Sequence, residues 1–198
     1  MNNKFTNIIK LDIPKYEKLA QILKIIINEC KIKTDSYYIL GSYAIRKQRE
    51  INDLDINMDH HEFEKLKQCV TYGRIEPYNN QIRWFFDLTD QYQKLSDPNA
   101  MDFSIEVFQK RPHEGFPDED YSLQRLKEIN GLDTDEYGHQ YFSLQTLLRW
   151  KKKMNRPKDQ SDIQLIEKLL TNQNAGYYHK YIKYKNKYLN LKLSNKNY

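Results

Sequence analysis

Residues 36–59 constrain the fold more than any other part of the chain. Four apolar residues predict a buried strand, and Gly41-Ser42 follows as a tight turn that leads into a short helical piece. A second predicted strand carries Asp53 and Asp55. Because strand side chains alternate between the two faces of a sheet, these two carboxylates point the same way, and Leu54 and Ile56 point the other way.

This pattern predicts a place for a divalent cation beside a place for a phosphate group. Two carboxylates on one face repel each other unless a cation neutralises them, and Mg²⁺ usually takes one or two carboxylates together with substrate phosphates. Gly41 allows the backbone to come close to a ligand. The amides that follow it open a helical turn, which favours phosphate. Either motif alone is common, and the combination at this spacing carries the interpretation.

A Gly-Ser pair followed after ten residues by Asp-x-Asp resembles the signature of the polymerase-β-type nucleotidyltransferase superfamily. The resemblance implies that a nucleoside triphosphate binds at Gly41 and Ser42. It also implies that Asp53 and Asp55 hold two Mg²⁺ ions, with Mn²⁺ as an alternative. Many members have an arginine four residues after the glycine. This chain departs from that pattern, and Arg46, one residue later, is the expected phosphate contact at the turn.

The third acid that the resemblance implies is expected on a strand over residues 101–108. A carboxylate between the apolar Ile105 and Val107 is costly in a central strand unless it has a function. Glu106 is therefore our choice for the third catalytic, metal-binding acid, and Asp102 is the alternative.

A second motif lies between Leu147 and Asp162, where a basic helix end runs into an Arg-Pro-Lys-Asp turn. This run resembles the C-terminal helical signature of minimal nucleotidyltransferases of the abortive-infection toxin and antibiotic-modifying types. The resemblance implies that Lys151, Arg156 and Lys158 bind the triphosphate and that the aspartates hold the helix junction. The alternative is a basic helix end that complements the helix macrodipole.

The predicted fold class is α+β, with a small mixed β-sheet core, flanking helices and a C-terminal helical segment. Periodicity predicts helices over 14–30 and 60–69 and a hairpin within 72–88, whereas residues 132–141 read as a loop. The expected domains are a nucleotidyltransferase core over 1–118, a helical subdomain over 119–175 and a basic tail over 176–198.

Composition bounds the location and the partners. The 198 residues contain no apolar run long enough for a membrane helix, and the N-terminus lacks a signal-peptide core. We therefore expect Cys30 and Cys69 to be buried thiols in a reducing compartment, with neither a disulfide nor a zinc site. The expected location is the cytoplasm. The net charge of +5 fits a protein that handles phosphates.

The tail from Tyr177 to Tyr198 contains six lysines and no acid, with tyrosines at helical spacing. Tyrosines interleaved with lysines could stack on bases and hold phosphates. Alternatively, the tail forms an amphipathic helix that packs on the body or on a second copy, which would give a homodimer. It also resembles tails of proteins from large DNA viruses, in which case the location is the host cytoplasm.

The predicted function is Mg²⁺-dependent transfer of a nucleoside monophosphate from a nucleoside triphosphate to an acceptor hydroxyl by a two-metal mechanism. The acceptor could be RNA such as tRNA, a protein or a small molecule, and the sequence does not choose among them. The alternative is a catalytically inactive module of the same fold that binds nucleic acid or a protein partner.

Overall fold

The computed structural model describes residues 3–51, 53–69, 74–76, 81–86, 103–109 and 121–173. Its helices are α1 (Asn3–Ile9), α2 (Lys15–Glu29), α3 (His60–Cys69), α4 (Leu123–Glu128), α5 (Leu144–Met154) and α6 (160–173), with 3₁₀ turns at Gly41–Ile45 and Pro157–Asp159. Its strands are β1 (Tyr37–Leu40), β2 (Asp53–Met58), β3 (Arg74–Glu76), β4 (Gln81–Phe86), β5 (Phe103–Gln109), β6 (Leu132–Thr134) and β7 (Gln140–Phe142).

Within the described ranges, these seven strands form one sheet in the order β3-β4-β5-β2-β1-β7-β6. The β2–β5 and β1–β7 pairs are parallel and the other neighbouring pairs are antiparallel, so the sheet is mixed. The α+β class with a mixed sheet and flanking helices is confirmed. The strand that carries Asp53 and Asp55 lies at the centre of the sheet and pairs with a neighbouring strand on each side.

The core lies between the sheet and α2, whose apolar stripe is fully buried at Leu19, Ile22, Leu23 and Ile26. The sheet side of this core is formed by the inward residues of the two central parallel strands, which are Leu54, Ile56, Ile105 and Val107. Because strand side chains alternate, Asp53, Asp55 and Glu106 occupy the opposite face of the sheet. Packing of the core therefore decides which face carries the acids.

Most of the predicted elements are confirmed, and one is wrong. The hairpin predicted within 72–88 is β3 and β4, and the helices predicted over 14–30 and 60–69 are α2 and α3. The loop predicted over 132–141 is instead the β6–β7 hairpin, and β7 pairs in parallel with β1 at Ile39 and Tyr141. Each of these strands has only three residues, too few to show an alternating pattern.

The chain divides into two compact units, Met1–Leu147 and Leu148–Tyr198. The boundary expected between residues 118 and 119 falls inside the first unit, because β6 and β7 belong to its sheet. The tail proposed over 176–198 lies outside the described residues. Among those that are described, no helix combines the length and the apolar character needed to cross a membrane.

The expectation of two free cysteines is wrong. Cys30 and Cys69 form a disulfide, with their Cα atoms 5.5 Å apart. Cys30 caps the C-terminus of α2 and Cys69 ends α3, so the two helix ends meet although the cysteines are 39 positions apart in sequence. Helical patterning placed each cysteine correctly on its helix but contained no information on how the two helices pair. The disulfide therefore removes the basis for expecting a reducing compartment.

Candidate active site

The turn after β1 is built around Gly41. Its φ is +71°, in the left-handed region that favours glycine. A β-carbon on Gly41 would lie only 3.1 Å from Oδ2 of Asp55, so the carboxylate lies directly against the backbone of the turn. The Gly-Ser turn and the Asp-x-Asp strand, which the sequence predicted to act together, are therefore neighbours.

Strand register places the three predicted acids on one face. Asp55 is paired with Leu40 on β1 and with Glu106 on β5, and Asp53 is paired with Ser104. Residues directly opposite each other on neighbouring strands project to the same face. Asp53 is exposed, whereas Asp55 and Glu106 are half-buried. The alternative third acid, Asp102, lies outside the described residues.

The acids share a face without forming a ready-made metal cluster. Across the described parts of the chain, no three His, Cys, Asp or Glu side chains are gathered closely enough to hold an ion. The donor set nevertheless has the right chemistry for Mg²⁺ or Mn²⁺, since carboxylate oxygens are the ligands that these hard cations prefer. Side-chain rotation at Asp53, Asp55 and Glu106 would be needed to complete a site.

Two arginines follow the turn, and they occupy different environments. Arg49 is exposed, and its Nη2 donates a hydrogen bond to Oγ of Ser42 at 2.6 Å. Arg46, the predicted phosphate contact, is only 6% exposed. Its guanidinium lies 4.3 Å from the ring centroid of Tyr43 and 4.6 Å from that of Tyr141. This cation–π packing holds Arg46 against the rings of Tyr43 and Tyr141, whereas Arg49 contacts Ser42, one of the two residues of the predicted phosphate site.

The β6–β7 turn, which was not predicted from the sequence, forms a hydrogen bond with the 3₁₀ turn that begins at Gly41. Oη of Tyr43 donates to Oδ2 of Asp135 at 2.7 Å, and Oδ1 of Asp135 accepts from the backbone N–H groups of Tyr137 and His139. Burial, followed by the contact with Asp135, raises the pKa of Tyr43, which keeps the hydroxyl protonated as a donor. The Asp-x-x-Gly spacing at 135–138 is a turn signal that could have predicted this hairpin.

A second buried contact ties the same hairpin to β1 and α2. Nδ1 of His139 lies 2.7 Å from the hydroxyl of Tyr37, and Nε2 lies 2.9 Å from the carbonyl oxygen of Ala20. A neutral imidazole that donates from Nε2 and accepts at Nδ1 satisfies both. Burial lowers the pKa of His139, which favours this neutral form.

In the second unit, the predicted triphosphate ligands form part of a helix junction. Lys151 is buried, and its Nζ lies 2.8 Å from a carboxylate oxygen of Asp159 and 2.8 Å from one of Asp162. Arg156 also donates to Asp159, at 2.6 Å. Burial alone would raise the pKa of Asp159, but the hydrogen bonds from Arg156 and Lys151 outweigh it and lower the pKa to about 2. Lys158 is exposed.

No family model matches the chain, and no curated protein matches it. Among solved structures, the chain is similar to a Thermotoga maritima protein that is described only provisionally as a nucleotidyltransferase. The two share 16% identity, with 81% of this chain and 96% of that chain covered, and the TM-score is 0.43. A likeness of this extent shows nothing about the activity of this chain.

Proposed function

We propose that the chain transfers a nucleoside monophosphate from a nucleoside triphosphate to an acceptor hydroxyl. One observation carries the proposal: Asp55 lies against the backbone of Gly41 and is in register with Glu106 on the next strand. A glycine turn that can cradle phosphate thus adjoins a face with three carboxylates. This juxtaposition joins two motifs that are each too common to indicate a function alone.

Asp53, Asp55 and Glu106 are the proposed holders of two Mg²⁺ ions. Bound there, the ions would neutralise the triphosphate and lower the pKa of the acceptor hydroxyl. Asp55 and Glu106 lie directly opposite each other on neighbouring strands, so both could become ligands of the same cation once their side chains turn toward it.

The proposed reaction is a nucleophilic substitution at the α-phosphorus. A bond forms between the acceptor oxygen and the α-phosphorus, the bond from that phosphorus to the bridging oxygen breaks, and pyrophosphate leaves with the electron pair. The hydroxyl proton passes to Glu106 or to water. Backbone amides after Gly41 and the hydroxyl of Ser42 hold the phosphates, and Arg49 offsets charge on the leaving group from its place beside Ser42.

The other predicted cations have less direct support. Arg46 acts in this proposal by holding Tyr43 and the turn in place, not by touching phosphate, because its guanidinium is buried between rings. Lys151 forms ion pairs with two buried carboxylates, which favours a role in holding the helix junction together. The roles of Lys151, Arg156 and Lys158 as triphosphate ligands remain predictions.

The test combines nucleotide binding with turnover. The full chain is incubated with each of the four labelled triphosphates, Mg²⁺ and cell extract, and both label transfer and pyrophosphate release are measured. Thermal unfolding with and without nucleotide reports binding even when the acceptor is missing, because a ligand that binds only the folded state raises its stability. We expect one triphosphate to stabilise the protein in a Mg²⁺-dependent way and to be consumed.

Asp53→Asn and Asp55→Asn should reduce transfer to background while the fold is kept. Asp133→Asn is the matched control, since Asp133 is an exposed carboxylate on β6 and loses the same charge. Turnover that survives in either aspartate variant, or a wild-type chain that no triphosphate stabilises or labels, would refute the proposal. In that event the alternative of a binding module without catalysis would be favoured.

A further inference from the structure

The two units carry opposite net charges. Residues 148–198 contain 13 Lys and Arg residues and three acids, a formal charge of +10, whereas residues 1–147 contain 19 Lys and Arg residues and 24 acids, a formal charge of −5. The net charge of the whole chain, +5, is the sum of these two opposite values. Charge asymmetry of this size along one chain is typical of proteins that bind a polyanion through the basic part.

The described cations of the second unit include a solvent-facing group on α5. Arg149, Lys152 and Lys153 are spaced three and four residues apart, so they lie on one side of the helix, and we call them the basic stripe. Arg149 and Lys152 are exposed and Lys153 is half-buried. Lys151, two positions after Arg149, points to the other side and is buried in its ion pairs.

The ion pair that Lys152 forms does not prevent this residue from binding a polyanion. Lys152 contacts Glu167 at 2.6 Å, with 54% of the lysine side chain and 47% of the glutamate side chain exposed. Exposed pairs of this kind contribute little, about 0–1 kcal/mol. The stripe is also short, because residues 149 to 153 span about 6 Å along the helix axis. Neighbouring phosphates of one nucleic-acid strand can therefore contact the basic stripe at the same time.

The sequence beyond the described residues indicates which polyanion is expected. Residues 174–198 contain six lysines, six tyrosines and no acid. Aromatic rings stack on bases that are unpaired, and this contact is tolerant of sequence. A duplex or an anionic lipid surface offers phosphates but no unpaired base. The composition therefore favours single-stranded nucleic acid over either of them.

We propose that the second unit binds the phosphate backbone of single-stranded nucleic acid through the basic stripe. This deepens the proposed function and rests on it in one respect only, which is that the bound strand serves as the acceptor. Binding itself needs neither nucleoside triphosphate nor Mg²⁺, so it is measured without them.

The experiment measures fluorescence anisotropy of a labelled 20-nucleotide RNA with the full chain over a range of salt concentrations. DNA of the same sequence, the corresponding duplex and vesicles with phosphatidylserine are the comparison arms. The test variant is Arg149→Gln with Lys152→Gln and Lys153→Gln. The control variant is Lys24→Gln with Lys33→Gln and Lys47→Gln, three exposed lysines of the first unit whose loss changes the net charge equally.

We expect the stripe variant to bind the single strand at least about tenfold more weakly, and the control variant to change affinity by less than about threefold. Three phosphate contacts correspond to a change of about 2 in the slope of log K against log salt concentration for single strands. Comparing the affinities for RNA and for DNA of the same sequence then shows whether ribose or deoxyribose is preferred. Thermal unfolding checks that both variants fold, and Arg149→Gln alone should give a smaller loss of the same sign.

Equal losses in the two triple variants, a slope that does not change, or tighter binding to the duplex or to vesicles would overturn the proposal. Asp55→Asn separates the two proposals, since it should abolish transfer and leave affinity for the strand unchanged. A wild-type chain that binds the strand but transfers no nucleotide would refute the proposed function and leave the basic stripe as a binding surface.

Discussion

A β-carbon on Gly41 would lie 3.1 Å from Oδ2 of Asp55, a distance that real β-carbons rarely show. A side chain at residue 41 would therefore push the carboxylate away by a few tenths of an ångström. The same glycine has a φ of +71°, so its backbone conformation and its lack of a side chain favour glycine for separate reasons. In the proposed site, this contact determines how far the phosphate-binding turn at Gly41 lies from the metal ligands.

Gly41→Ala should therefore be damaging in two separable ways. The left-handed backbone costs an alanine about 1–2 kcal/mol, which lowers the free energy of unfolding measured in urea. The added methyl group also displaces the carboxylate of Asp55, so we expect nucleotide transfer to fall much further than this loss of stability explains.

Gly138→Ala is the control. Gly138 has a φ of +88°, but an added β-carbon there would meet no atom within 4 Å. It should lose a similar amount of stability and keep normal transfer. If both variants transfer equally well, the contact between Gly41 and Asp55 has no catalytic importance.

Lys151→Met should strongly destabilise the second unit. The substitution leaves the carboxylates of Asp159 and Asp162 buried without their shared cation. Removing one partner of a buried pair costs about 3–5 kcal/mol, which urea unfolding followed by circular dichroism can detect. Lys152→Met, one residue along and in an exposed pair, should cost less than about 1 kcal/mol. Similar effects at the two positions would contradict a structural role for Lys151.

Stability of the first unit should fall as the solution becomes mildly acidic because of His139. Its pKa is lowered in the folded state by burial, whereas in the unfolded chain it is about 6.5. The unfolded state therefore binds more protons below that pH, so the free energy of unfolding is highest above pH 6.5 and decreases as pH falls through this range. Unfolding in urea between pH 8 and pH 5 measures the slope.

His139→Gln should give a flatter dependence on pH over the same range, whatever its effect on absolute stability. His61→Gln is the control, since it removes another imidazole, one that is exposed at the start of α3. A slope that is the same in wild type and His139→Gln would assign the pH dependence to other groups.

The sequence by itself determined the central part of the fold. The strand, the glycine turn and the strand with Asp53 and Asp55 were all predicted with nearly correct bounds. Alternation in a strand and the conformational freedom of glycine are local properties, so they can be read from neighbouring residues. Alternation also predicted a strand with Glu106 on one face, but the expectation that this strand lies beside the one with Asp55 came from the family resemblance; β5 does pair with β2.

Only the tertiary structure decided which of two nearby arginines contacts Ser42. Arg46 matched the expected position best in sequence, but its guanidinium is enclosed by Tyr43 and Tyr141, and Arg49 contacts Ser42 instead. Tyr141 comes from β7, almost one hundred residues away, and no local pattern predicts that contact. The direction of a side chain depends on what covers it.

The disulfide between Cys30 and Cys69 and the addition of β6 and β7 to the sheet have the same explanation. Each requires two segments that are distant in sequence to lie side by side. Local periodicity determines that a helix or a strand forms and which face it buries. The partner against which that face packs is selected by the free energy of the whole core, which becomes defined only when the chain is folded.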